Sequence, residues 1–286
     1  TECLTTAGRS LTIEVWYPAA PGTLPGGTYA TLLRDGVTPV TLHGLAARDA
    51  EAAQGRWPLV ILSHGYPGNR YLMAHLAEAL ASRGYLVGAA DHPGSLYEDQ
   101  RPFGETLHHR PLDQRFLLGA LADLPNAGDA AAIVGYSMGG YGALRYTLAH
   151  PQVFVGALVL SPAVYTPLPP IDSSTREFGA FGKAGALFDD QIYTALNYPA
   201  LLPSFAQTGL GLSLFIAVGD DEWKNERPED WLHDLDIEAH MVFNHVSRVP
   251  SIQSEFRVYD GGHDWDVWRR GFVEGLPFLA RALHPG

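Results

Sequence analysis

The chain has 286 residues, 46% hydrophobic and 17% charged, enough to bury a sizeable core and too apolar for a disordered chain. Nineteen basic against thirty-one acidic side chains leave a net charge of −12, and Lys183 and Lys224 are the only lysines, so no basic patch exists to displace counterions from nucleic-acid phosphates. One cysteine, Cys3, excludes an internal disulfide and favours a reducing, cytoplasmic setting, and no apolar run approaches the roughly 18–20 residues of a membrane span.

Leu11, Ile13, Val15 and Tyr17 alternate with Thr12, Glu14 and Trp16, the period of two of a half-buried strand. Residues 19–56 are rich in Gly, Pro and Ala and read as loops with a short helix near Ala46–Ala53. PLVILSHG, starting at Pro58, reads as a buried strand. Leu72, Leu76 and Leu80 then predict a helix over Tyr71–Arg83, stopped by Gly84. LVGAADHPG is the next strand, followed by a helical stripe of Phe116, Leu117, Ala120, Leu121 and Leu124 over Asp113–Leu124. AAIVGYS is a strand, Gly139–His150 a helix, and VFVGALVLSP a strand. LSLFIAVG and SEFRVYDGG add two strands, and Asp264–Leu283 a last helix, kinked or restarted at Pro277. Continuous apolar strands alternating with helices imply a parallel sheet built by right-handed crossovers. The expectation is one α/β domain over residues 1–286.

The sharpest motif is Gly135-Tyr136-Ser137-Met138-Gly139, set between an apolar strand and a helix. Such a turn forces its serine into a strained conformation with Oγ exposed, and side chains in place of the flanking glycines would collide with neighbouring elements. Ser137 is therefore the candidate nucleophile. A serine hydroxyl needs a base to take its proton, and the base needs an acid to fix its tautomer. His263 follows the last strand in RVYDGGHDW and is the candidate base, whereas His240 and His245 lie in an apolar helical stretch that suits packing. The acid is expected just past LSLFIAVG, where Asp220, Asp221 and Glu222 are consecutive. Counting three past Gly219 selects Glu222, with Asp221 as the alternative. Two backbone N–H groups are needed for an oxyanion. Met138 supplies one, and Tyr66 in His64-Gly65-Tyr66-Pro67-Gly68 the other, with His64 read as a structural histidine beneath that loop. His108-His109 and Asp91-His92 lack partners at ligand spacing, and GTLPGG lacks the Lys and Ser/Thr of a phosphate loop, so neither a metal nor a cofactor is expected.

On these residues the chain resembles the α/β-hydrolase superfamily, mostly parallel sheet flanked by helices, over nearly its whole length. VWYPAAPGT, PLVILSHGYPGNR and LVGAADHPGS resemble the dienelactone-hydrolase and platelet-activating-factor-acetylhydrolase group. LSPAVYTPLPP, SSTREFGAFG, VGDDEWKN and GGHDWDVWRRGF resemble the group of esterase D and enterochelin esterase. The two likenesses meet at GYSMGGYGAL, which raises a chimeric junction near 130–150 as a hypothesis. The resemblance implies a cofactor-free serine carboxylesterase acting on small esters through an acyl-enzyme, with Ser137, His263 and an acid at 220–222. An acyltransferase, a peptidase or a catalytically silent binding protein are the alternatives on the same fold. Dienelactone hydrolases use cysteine as the nucleophile, so serine here argues for ordinary ester chemistry. Residues 163–212 are expected to form a cap, with Tyr165, Phe178, Phe181, Phe188 and Tyr193 either shaping an apolar pocket or packing the insertion onto the sheet.

Overall fold

The computed structural model describes residues 2–4, 10–100, 103–177, 181–183, 185–224 and 234–284. One eight-stranded sheet organises the protein. Its strands are β1 (Glu2–Leu4), β2 (Ser10–Trp16), β5 (Trp57–Ser63), β6 (Leu86–Ala90), β7 (Ala127–Tyr136), β8 (Phe154–Leu160), β9 (Leu212–Gly219) and β10 (Ile252–Tyr259), in the order β1-β2-β6-β5-β7-β8-β9-β10. The first two pairings are antiparallel and the six strands from β6 to β10 run parallel. A separate hairpin, β3 (Thr28–Leu32) with β4 (Pro39–His43), lies outside the sheet.

Parallel strands need both faces covered, and alternate residues of each strand divide between two cores. Leu59, Ile61, Ile133, Leu214 and Ile216 face helices α2 (Phe103–Ala122), α3 (Met138–Ala149) and α7 (Leu235–Val246). Val60, Leu62, Val134 and Phe215 face α1 (Ala74–Ala81) and α8 (Trp265–Leu283). Because the six strands are parallel, the segments after Ser63, Tyr136, Gly219 and Tyr259 emerge along one edge of the sheet, where ligands of such sheets bind.

Three local readings of the sequence are corrected. No helix forms at 46–53: Ala53 N–H donates to Pro18 O (2.9 Å) and Ala20 N–H to Glu51 O (2.8 Å), so this backbone pairs across to the end of β2. The β3–β4 hairpin falls inside 19–56, which reads as loop because its strands carry Thr and Pro without a clear apolar alternation. The first helix begins at Ala74, not Tyr71, because Asn69 Oδ1 accepts the Tyr71 N–H (2.9 Å) and closes a turn there first. At the other end, Asp264 caps α8 through Asp266 and Val267 N–H, at 2.9 and 3.2 Å, so the helix starts immediately after the segment carrying His263.

Between β8 and β9 come α4 (Ser174–Glu177), α5 (Asp190–Leu196) and α6 (Tyr198–Thr208). The aromatic side chains of this stretch go mainly to the core. Tyr193 is 1% and Phe181 4% exposed, and their rings meet edge to face at 4.8 Å, with Phe188 5.5 Å from Tyr193. Tyr165 is also buried; its backbone N–H donates to Tyr193 Oη and its carbonyl accepts from Tyr193 Oη and Asn197 Nδ2. Tyr165, Phe181 and Tyr193 are therefore buried among one another, taking the packing role of the two their sequence allowed. Phe178 lies outside the described residues.

Glu238 of α7 ties this stretch down from below, accepting the Thr166 N–H at 2.8 Å. Burial pushes its carboxyl up from 4.5 to about 7. The folded protein thus holds this proton more tightly than the unfolded chain, and the resulting stability is present at acid pH and lost as pH rises from about 4.5 through 7. Glu238→Gln keeps an acceptor for Thr166 and is expected to flatten this part of the pH dependence of Tm, read by thermal melts from acid to mildly alkaline pH.

Candidate active site

β7 ends at Tyr136 and α3 begins at Met138, leaving Ser137 to turn the chain by itself with φ 55° and ψ −126°. A non-glycine residue in that region costs on the order of 1–3 kcal/mol and persists only when its surroundings impose it. They do. Ser137 N–H donates to Leu160 O at 2.9 Å, and its carbonyl accepts from Tyr141 and Ala163 N–H. A Cβ on Gly135 would sit 2.1 Å from Gly139 O, and one on Gly139 would sit 2.2 Å from Ser63 O. Both obstacles are backbone. Gly139→Ala is therefore expected to destabilise the fold by roughly 1–3 kcal/mol, lowering Tm by about 3–10 °C, and to reduce turnover in the molecules that remain folded.

The carboxylate run after β9 sorts itself by orientation. Glu222 is 1% exposed; its Oε1 accepts Gly219 N–H at 3.2 Å, and its Oε2 lies 2.6 Å from His263 Nδ1. A carboxylate can only accept, so Nδ1 carries the hydrogen and Nε2 is left as the unprotonated base position. Asp221 points elsewhere and pairs with Lys224 Nζ at 2.5 Å. Asp220 Oδ1 accepts Gly261 N–H. The structure thus brings Glu222, and not Asp221, to His263. Gly219 permits the turn, since a Cβ there would meet Gly261 O at 2.1 Å. Asp220, Asp221 and Asp260 form an exposed acidic cluster in which Asp221 is already neutralised by Lys224.

His263 is braced from the side by Trp268, edge on at 5.1 Å, and Trp268 Nε1 donates to Ser161 Oγ at 3.0 Å. Trp268 also packs 4.3 Å from Tyr136, the neighbour of Ser137, so one indole contacts both the histidine and the elbow. Among the described residues neither Ser137 Oγ nor His263 Nε2 has a hydrogen-bond partner, so their mutual contact is open in this structure.

The third side is the segment after β5, which pairs with β7 up to Ser63 beside Gly135. His64 is buried, its Nδ1 donates to Gly65 O at 2.7 Å, and burial, then Arg110 and His92, hold it well below the usual histidine range. Burial thus favours its neutral form, and its Nδ1 is spent on the loop's own backbone. Tyr66 is half-buried and Met138 is buried at the first turn of α3, where backbone N–H groups lack helical partners. Two clefts, of about 760 and 490 Å³, flank β2, α1 and the start of α8; neither is lined by Ser137 or His263. Sequence reasoning missed Arg110, which reaches the His64–Gly65 backbone from α2, 45 residues away and with no motif of its own, and gave no role to Trp268 although it falls within GGHDWDVWRRGF.

A family model described as "Putative esterase" matches residues 114–279, more than half of the chain and the stretch that holds Ser137, Glu222 and His263. The chain belongs to this esterase family. The esterase also matches, over residues 29–95, the model of platelet-activating factor acetylhydrolase, isoform II. An acetyl esterase of Caldicellulosiruptor saccharolyticus is 25% identical over 234 residues, 77% of this chain and 82% of that protein. A match of that length necessarily runs through 130–150, where the two resemblances meet. Among solved structures, Est1E of Butyrivibrio proteoclasticus with bound ferulic acid aligns at TM-score 0.59 and 14% identity, over 98% of this chain and 99% of that one. S-formylglutathione hydrolase of Staphylococcus aureus aligns at TM-score 0.56 and 14% identity, over 93% and 99%. The fold is that of the α/β-hydrolases, as expected, and the esterase is a serine-type carboxylic ester hydrolase. No described helix of it is long and apolar enough to cross a membrane.

Proposed function

We propose that the esterase cleaves small, uncharged carboxylic esters through an acyl-enzyme on Ser137. Ser137 Oγ attacks the ester carbonyl while His263 Nε2 takes its proton. Glu222 keeps the hydrogen on Nδ1 and stabilises the imidazolium that forms. The tetrahedral oxyanion is held by the backbone N–H groups of Met138 and Tyr66, and its collapse expels the alcohol with the proton from His263. Water, activated by the same histidine, then releases the acid. The open Oγ···Nε2 contact closes when substrate enters, as catalytic hydrogen bonds often do.

The observation that carries this reading is the buried Glu222 carboxylate, spent on Gly219 N–H and on His263 Nδ1 at 2.6 Å, which fixes both the orientation and the tautomer of the ring. The relative named acetyl esterase supports short acyl groups, and the net charge of −12 disfavours polyanionic substrates. A panel of chromogenic esters of increasing acyl length, run beside peptide anilides, tests the reading. Turnover of the short neutral esters alone is expected. Cleavage of the anilides at comparable kcat/KM, or no ester turnover, would contradict it.

A further inference from the structure

The Arg110 guanidinium is one of the few charged groups in the interior, 4% exposed, and lies on α2 some 45 residues from the loop it touches. Its donors reach acceptors on three consecutive residues, the last of β5 and the two that follow it. Nη2 bonds to His64 O and, at 3.4 Å, to Ser63 Oγ, while Nη1 lies 3.3 Å from Gly65 O. Gly65 O also accepts from His64 Nδ1 at 2.7 Å, so two donors converge on one carbonyl. The Gly65–Tyr66 peptide is trans, and a planar trans peptide points its C=O and N–H in opposite directions. Fixing the Gly65 carbonyl therefore fixes the direction of the Tyr66 N–H.

We infer that Arg110 is a positioning residue for ester cleavage: by clamping the carbonyls of His64 and Gly65 it aims the Tyr66 N–H at the site of the developing oxyanion. This rests on the oxyanion assignment made above. Donors on a carbonyl also polarise the amide it belongs to, so the clamp strengthens the N–H as well as aiming it. A guanidinium suits the task because its planar fork serves separate acceptors at once, whereas an ammonium acts as a point charge. Burial lowers the Arg110 pKa to about 10, partly offset by Tyr146, Tyr136 and Asp113, so the charge persists at neutral pH. Asp113, one of the charges that favour the guanidinium, lies 3.1 Å from His92 Nδ1, and Gln114 Nε2 lies 3.0 Å from His92 Nε2.

Arg110→Lys keeps the charge and most of the buried stem but loses the fork, and the decision rests on this variant, with Arg110→Met beside it. Three measurements are made with the folded enzyme: steady-state kinetics on a short chromogenic ester, the affinity of an alkyl trifluoromethyl ketone, whose adduct carries the oxyanion, and inhibition by the alcohol product, which carries none. Expected for Arg110→Lys is a roughly 10–100-fold fall in kcat with KM within about 3-fold. Ketone affinity should fall in parallel with kcat/KM, and product inhibition should stay unchanged. Wild-type kcat, or equal weakening of ketone and product, would overturn the inference. Ser137→Ala, assayed in parallel, separates the two layers: if it is inactive while Arg110→Lys behaves as wild type, only the positioning role falls; if it retains full turnover, the nucleophile assignment falls and the positioning role with it.

Discussion

Replacing Ser137 by alanine is expected to lower kcat on the order of 10⁶-fold while leaving Tm at or above the wild-type value. The loss is large because alanine leaves no nucleophile at position 137, and His263 and Glu222 have no function in covalent catalysis without one. The effect on stability runs the other way from an ordinary core deletion. Ser137 is half-exposed, its Oγ has no hydrogen-bond partner among the described residues, and its backbone hydrogen bonds to Leu160, Tyr141 and Ala163 survive the change. Removing the hydroxyl therefore removes chemistry and almost no packing. Steady-state assays with a short ester and a thermal melt check both halves, and the residual rate must be measured on protein purified free of host esterases.

Changing Glu222 to glutamine is expected to lower kcat on the order of 10⁴-fold, whereas Asp221→Asn leaves it within about 3-fold. The difference follows from hydrogen-bond polarity. In Glu222→Gln the side-chain oxygen is claimed by Gly219 N–H, which turns the amide NH₂ towards His263. Nδ1 must then accept, the ring hydrogen moves to Nε2, and the nitrogen that should take the serine proton is blocked. Asp221 instead pairs with the half-exposed Lys224, so its loss removes an ion pair of small worth. Equal and modest losses in both variants would mean that neither carboxylate orients the base. The pH profile adds a second check, since the alkaline plateau of kcat should be depressed in Glu222→Gln and not merely displaced.

Much of this was legible in the sequence, and the reason is locality. The elbow is written into five consecutive residues, because the glycines at 135 and 139 are required by backbone atoms within a few ångströms, Gly139 O and Ser63 O. The parallel sheet is written into buried runs such as LVILS and LFIAVG, which show no alternation because both faces are covered. Choosing among Asp220, Asp221 and Glu222 was harder. Adjacent side chains of a turn diverge, and which one turns inward depends on Gly219 packing against Gly261, forty-two positions away. The aromatic residues of 163–212 illustrate the opposite ambiguity: Tyr193 and Phe181 suit a pocket or a core equally well by type, and only their contacts with Tyr165 and Phe188 decide for the core. Arg110 was invisible for the same reason. An arginine just ahead of the apolar stripe over Asp113–Leu124 looks like a surface charge until the loop it touches is placed.

Ser137 should carry the acyl group midway through turnover, and trapping that intermediate tests its role most directly. A slowly deacylating ester is mixed with enzyme, quenched in acid before one turnover is complete, and the protein is digested and weighed. The predicted result is a mass increase of one acyl group on the peptide containing Ser137, absent from Ser137→Ala and slow to accumulate in Glu222→Gln. Ester turnover with the acyl group on another residue, or with no covalent adduct under conditions where deacylation limits the rate, would contradict the account.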